Sequence, residues 1–341
     1  YTKQFDGVTL DNAMVTEAEI TEAALALSPV LKEAIQLAAK NIRCFHEAQV
    51  NAPATIETMP GVRCWRKVVG IDKVGLYIPG GSAPLFSTVL MLGIPAVIAG
   101  CKEIILCTPP SKDGSVHPAI LYAAQLCGVT KILKAGGIQA IAGMTFGTAT
   151  IPKVYKIFGP GNQYVTVAKQ LATQFGVAID MPAGPSELLV VADDSAVPAF
   201  VASDLLSQAE HGTDSQVILV STSKQMIEAV EEEVQSQLAV LPRKAIAEKA
   251  IANSKLIFVE NQEIALDLIN EYGPEHFIVC TKNNDYYVDN IANAGSVFIG
   301  NYTPESAGDY ASGTNHTLPT NGYAKNYSGV NLDSFMKSMT F

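Results

Sequence analysis

From residue 74 onward the chain alternates short apolar runs with amphipathic stretches of helical period. The runs VGLYIPGG (74–81), EIILC (103–107), KILKAGG (131–137) and KVYKIFG (153–159) read as strands. Helices are expected after them over 90–98, 119–127, from Ile138, and over 162–174. Four strand–helix units in a row predict a parallel sheet covered on both faces. After a turn rich in Pro182, Gly184 and Pro185 the pattern restarts with LLVVAD, SQVILVS, KLIFVE, HFIVC and GSVFIG, and a long polar helix covers 224–241. The fold class is therefore α/β, with two doubly wound, Rossmann-like parallel-sheet domains and an N-terminal helical segment over 23–48. The boundary is expected within 183–187. One domain is expected over 74–186, and the other over 1–73 together with 187–341, the N-terminal segment packing on the second sheet.

Composition narrows the class. With 48% hydrophobic and 16% charged residues in 341, the chain can build large cores and is not disordered. A net charge of −10 without a Lys/Arg-rich stripe argues against nucleic-acid binding. The uncharged stretch 74–101 approaches the length of a membrane helix, but Pro79, Gly80, Gly81, Pro84, Gly93 and Pro95 break it into a strand, a turn and a buried helix. No membrane partner and no signal peptide are expected. Tyr1 is not an initiator methionine, so the natural start is expected to lie upstream. The cysteines Cys44, Cys64, Cys101, Cys107, Cys127 and Cys280 form no CxxC pair, which predicts free thiols in a reducing, cytoplasmic setting. A cysteine nucleophile for aldehyde chemistry stays open as a minor alternative.

Ligands of doubly wound sheets are expected at the carboxyl ends of strands. Four loops of unusual composition stand out: GPGN (159–162), AGPSE (183–187), GPEH (273–276) and SAGDYASGTNH (306–316). A G-x-G-x-x-G fingerprint is missing, because Tyr164 stands where the third glycine belongs, so folding pattern alone makes only a weak case for NAD. Of the five histidines, three lie beside acids or amides. Gln208 and His211 project from one helical face and can present an oxygen and an imidazole to one ion, although taken alone they are better accounted for as a helix C-terminus capped by Gly212. Glu275 and His276 form a candidate acid/base pair whose side chains should point apart in an extended segment. Glu305, Asp309 and His316 fall in what reads as a long polar loop, where Asp309 is a candidate anionic ligand.

At these positions the strings LYIPGGSAPLFSTVLML, GPGN, DMPAGPSE, ASDLLSQAEHG, YGPEH and PESAGDYASGTNH resemble, in order, those of the histidinol dehydrogenase family. The resemblance implies a two-step, four-electron oxidation of L-histidinol through L-histidinal to L-histidine, using two NAD and one water. It implies zinc held by Gln208, His211 and Asp309, which orients the substrate. It further implies His276 as the base, Glu275 as the residue that activates water, substrate contacts from Ser186, Gln208, His211, His276, Asp309 and His316, and NAD contacts from Tyr77, Gln139 and Asn162. A homodimer is implied, with each site completed by a C-terminal segment of the partner that would follow Phe341. Zinc is accordingly expected to be absent or weakly held by the chain as given. A metal-dependent hydrolase and a non-catalytic binder of small amines are the rival readings of the same residues.

Overall fold

The computed structural model describes residues 1–50, 53–80 and 84–341. The positions 81–83 of the family-like LYIPGGSAPLFSTVLML segment, Gly81 among them, lie outside the described residues. The N-terminal segment forms α1 (Glu17–Ala26) and α2 (Pro29–Glu47). A capping box between Thr16 and Glu19 starts α1, and Ser28 with Pro29 starts α2. Helix α2 buries Ile35, Ala39, Ile42 and His46, an i, i+4, i+7, i+11 stripe. A hairpin of β1 (Ile56–Met59) and β2 (Val62–Cys64) precedes β3 (Arg66–Gly70).

The first parallel sheet comprises β4 (Lys73–Tyr77), β5 (Glu103–Thr108), β6 (Lys131–Lys134), β7 (Lys156–Phe158) and β8 (Ala178–Ile179) in the order β6-β5-β4-β7-β8. Its faces are covered by α3 (Phe86–Ile98), α4 (Pro118–Cys127), α5 (Gly137–Phe146) and α6 (Gln163–Ala172). Alternate residues serve opposite cores. Val74, Leu76, Ile104 and Leu106 pack with α3 and α4, whereas Tyr77, Ile105 and Cys107 pack with α5 and α6. The strands read as continuous apolar runs because both faces are buried.

The second parallel sheet repeats this plan with β9 (Glu187–Ala192), β10 (Gln216–Ser221), β11 (Lys255–Phe258), β12 (His276–Cys280) and β13 (Ser296–Ile299), in the order β11-β10-β9-β12-β13. Interleaved along the chain are α7 (Pro198–Ala209), α8 (Lys224–Val240), α9 (Lys244–Ala252), α10 (Gln262–Tyr272), α11 (Asn284–Asn290) and α12 (Glu305–Tyr310). The chain ends in β14 (Met336–Thr340), antiparallel to β3.

Two compact units result, one of residues 1–182, 310–317 and 330–341, the other of 183–309 and 318–329. This corrects two expectations. The N-terminal segment packs with the first sheet, not the second: Ile35, Ala39 and Ile42 share a core with Leu90, Ile120 and Leu121 of α3 and α4. The chain end also returns to the first unit, where buried Phe335 stacks on Phe158 with ring centroids 4.0 Å apart. Both placements are long-range packing choices that helical period alone does not encode. No helix among the described residues is long and apolar enough to cross a membrane.

Candidate active site

Glu187 opens β9 and His276 opens the neighbouring β12, where the parallel register pairs His276 with Leu188, one residue beyond Glu187, at the amino edge of the second sheet. The backbone of Glu187 grips both candidate catalytic residues. Its N–H donates to Glu275 Oε2 at 2.8 Å, and its carbonyl oxygen lies 3.2 Å from His276 Nδ1. A carbonyl can only accept, so the hydrogen bond assigns a proton to Nδ1, and in the neutral ring the lone pair is then on Nε2. Glu275 Oε2 is also 3.7 Å from Nδ1. The expectation that Glu275 and His276 point apart is thus corrected. Glu275 precedes the strand, where Gly273 at φ 63° turns the chain, and strand alternation has not yet begun.

Helix α7 supplies Asp204, Ser207 and Gln208, spaced i, i+3, i+4 on one face. Ser207 Oγ donates to Glu305 Oε2 at 3.1 Å. Gln208 Nε2 lies 3.2 Å from His211 Nδ1. The segment expected to be a loop begins as helix α12, which puts Glu305 and Asp309 one turn apart on the same side. Glu305 Oε1 is 3.8 Å from His276 Nε2, and donor atoms of His276, Glu305 and Asp309 lie within 4.8 Å of one another.

This cluster is strongly acidic and dry. Burial raises Glu187 to about 7, Asp204 to about 6 and Glu305 to about 8, the last also pushed up by the charge of Asp309. Burial likewise holds the fully enclosed Glu275 well above the usual carboxylate range. Among the described residues no lysine or arginine forms an ion pair with any of these carboxyl groups. Glu187 Oε2, Gln208 Oε1 and Glu305 Oε1 are buried without a hydrogen-bond partner. Carboxylates packed this way call for a cation, either a metal ion or a protonated amine.

Glu187, Asp204 and Ser207 were not singled out from sequence as site residues, and Glu305 was noted without a role. An acid opening an otherwise apolar strand, as in ELLVVA, is the one signal that pointed to Glu187. Ser186 directly precedes β9, with its carbonyl accepting from Gln216 N–H at 3.1 Å. His316 belongs to the first unit, where its Nε2 lies 3.5 Å from Thr88 Oγ1. Tyr77, Gln139 and Asn162 also belong to the first unit, at or just beyond the carboxyl ends of β4, β6 and β7. The Tyr77 hydroxyl accepts from Gly137 N–H at 2.9 Å.

The residues expected to contact NAD thus lie toward the carboxyl ends of the first sheet's strands, whereas Glu275 and His276 lie at the amino edge of the second sheet. The corresponding crevice of the second sheet is a cavity of about 290 Å³ lined by Asp193, Thr222, Thr281 and Asn283. It holds no histidine, and Asp193 is already engaged by Ser195 and the Lys282 N–H. Four of the six cysteines are poor candidates for the cysteine alternative. Burial pushes Cys101, Cys107, Cys127 and Cys280 up to about 12, far from a reactive thiolate.

The sequence profile of the family described as histidinol dehydrogenase matches residues 1–341. A histidinol dehydrogenase of Bacteroides thetaiotaomicron is 64% identical over all of this chain and 80% of its own length. One from Xylella fastidiosa is 54% identical over 99% of this chain and 79% of its own. The crystal structure of histidinol dehydrogenase from Elizabethkingia anophelis superposes with a TM-score of 0.98 at 60% identity, covering 100% of this chain and 79% of that one.

Proposed function

Because the chain belongs to the histidinol dehydrogenase family, we propose that the acidic cluster at the amino edge of its second sheet is where L-histidinol is oxidised. The enzyme is an NAD-dependent oxidoreductase of histidine biosynthesis. The observation that carries the placement is His276, with Nδ1 tied to a backbone carbonyl and a basic Nε2 facing unpaired carboxyl groups. A substrate bearing an ammonium group and an imidazole supplies the cation such a cluster lacks.

In this reading His276 Nε2 takes the proton of the bound hydroxyl group as the alcohol becomes an aldehyde. Its Nδ1–H bond to Glu187 holds the ring plane and shares the developing positive charge. Glu275 then takes a proton from the water that adds to the aldehyde while protonated His276 returns its proton to the carbonyl oxygen, so the neutral ring can deprotonate the resulting hydrate as it becomes the acid. NAD accepts one hydride in each oxidation. A carboxyl group raised by burial is a stronger base once ionised, and a bound cation brings its titration back toward neutrality. Enclosure in a dry site keeps the aldehyde from bulk water and amines between the two steps.

The donor set fits zinc, since Gln208, His211 and Asp309 offer oxygen and nitrogen ligands and Gln208 Oε1 has no other partner. Zinc bound there supplies a Lewis-acid grip on substrate nitrogen that fixes its orientation. His276 is better kept as base than as a fourth ligand, because coordination would consume the lone pair that the reaction needs. Tyr77, Gln139 and Asn162 are read as NAD contacts. Ser186 and His316 are read as substrate contacts. The enzyme is further read as a cytoplasmic homodimer whose sites the partner helps to complete; its six free thiols suit that compartment.

The deciding experiment measures NAD reduction by full-length, zinc-loaded enzyme with L-histidinol and, separately, with L-histidinal. Both should yield NADH and L-histidine. Turnover that needs metal but no NAD would instead point to a hydrolase, and ligand binding without NADH formation to a non-catalytic relative.

A further inference from the structure

The turn of residues 159–162 joins β7 to α6 where the strand order of the first sheet reverses, between β4 and β7. Gly159 has φ +120°, and a Cβ there would come within 2.0 Å of the Tyr77 carbonyl oxygen, so only glycine fits. Asn162 caps α6 through its Oδ1, which accepts from the N–H groups of Tyr164 and Val165, both at 3.1 Å.

Behind this turn lies a buried ion pair. Lys169 Nζ is 2.5 Å from Asp180 Oδ1, and the two side chains are 4% and 1% exposed. Lys169 Nζ also donates to the Gly159 carbonyl oxygen at 2.7 Å. Asp180 Oδ2 accepts from Gly159 N–H at 2.7 Å, and its Oδ1 accepts from Met181 N–H at 2.7 Å. Opposite members of one ion pair thus hold the two backbone polar groups of a single glycine. Stability alone does not require such a pair, since apolar side chains of similar volume often serve as well. Its distinctive product is the fixed orientation of one turn.

We propose that Lys169 and Asp180 are positioning residues for NAD: they lock Gly159 and so hold Asn162 in register with Tyr77 across the β4–β7 crevice. This rests on the reading of Tyr77, Gln139 and Asn162 as NAD contacts. The site already described in the second unit does not involve the pair.

The test uses full-length, zinc-loaded enzyme and three variants. Asp180→Asn removes the charge, and the double variant Lys169→Met/Asp180→Asn leaves no buried charge unpaired, so a folded protein is available even if the single one fails. Asn162→Ala checks the site reading independently. In Asp180→Asn and in the double variant, KM for NAD should rise about tenfold or more, with kcat at saturating NAD within about threefold and KM for histidinol unchanged, the pattern of lost uniform cofactor binding. Asn162→Ala should also raise KM for NAD. If Asn162→Ala does so and the pair variants do not, the positioning role is overturned. If the pair variants lower kcat and weaken both substrates alike, the pair is merely structural and the proposal also falls. If Asn162→Ala leaves NAD binding unchanged, the reading of the crevice itself is wrong, and the proposal falls with it.

Discussion

The Nδ1 atom of His276 lies 3.2 Å from the carbonyl oxygen of Glu187, so the backbone of the adjacent strand sets both the tautomer and the plane of the ring. No side-chain rearrangement is needed to present Nε2 as a base. The same peptide unit's N–H holds Glu275 at 2.8 Å. One strand residue therefore organises the two groups to which the acid–base steps are assigned.

Replacing His276 with asparagine removes the base while retaining a polar side chain of similar reach. The kcat for histidinol oxidation is expected to fall by about 10²–10⁴, the usual worth of general-base catalysis. KM for histidinol should change only a few-fold, because the other residues read as zinc and substrate contacts remain. Steady-state NADH formation checks this. Undiminished turnover would remove His276 from the mechanism.

Glu275→Gln separates the two oxidations. A glutamine Oε1 can still accept from Glu187 N–H, so the local structure should survive, but it cannot take a proton from water. Histidinal oxidation is expected to slow by about 100-fold, within the range of a lost general base, and histidinol oxidation considerably less. Single-turnover NADH traces with each substrate measure the ratio. A larger loss on histidinol would reverse the assignment of roles.

Much of this architecture was legible in the sequence because local signals carried it. Behind their opening glutamates the runs ELLVVA and EIILCT are almost wholly apolar since both sheet faces are buried, and turn glycines and prolines bound them. The destination of residues 1–73 was not legible. The stripe Ile35, Ala39, Ile42 announces a buried face without saying which sheet covers it. Nor was the convergence of Ser207 with Glu305, 98 positions apart along the chain, which only tertiary packing brings to 3.1 Å. Glu187 and His276 lie at the amino edge of the second sheet, contrary to the carboxyl-end expectation, and no residue pattern marks which edge gathers the polar side chains. Cofactor and substrate roles came from family resemblance, not from period or spacing.

Phe335 tests the docking of the chain end onto the first unit. It is fully buried and stacked on Phe158, ahead of the β14–β3 ladder. Phe335→Ala should cost about 3–5 kcal/mol of unfolding free energy, as for other large-to-small aromatic core changes. Urea unfolding followed by tryptophan fluorescence is a suitable readout, since Trp65 stacks on Phe341 in the same region. A change within about 0.5 kcal/mol, the range of a surface substitution, would mean that this segment is not part of the core.

The acidic cluster should leave a signature in the pH dependence of stability. Burial raises Glu187 to about 7 and Glu305 to about 8 in the folded protein, whereas an unfolded glutamate titrates near ~4.3. Between those values the folded state binds more protons than the unfolded one, so stability must decrease as pH rises. The favourable contribution is complete below the unfolded value. It is lost progressively through the folded values and is gone above about pH 8. With one pKa unit equal to about 1.4 kcal/mol, the two groups together should remove several kcal/mol over this span, up to roughly 9 kcal/mol. Urea unfolding of zinc-stripped enzyme from pH 5 to 8.5 measures it. Glu187→Gln should flatten part of the slope, and added zinc should flatten more of it by favouring the ionised carboxylates. A metal-free protein equally stable at pH 5 and pH 8.5, in wild type and in Glu187→Gln alike, would show that these carboxyl groups are not desolvated as the structure has them.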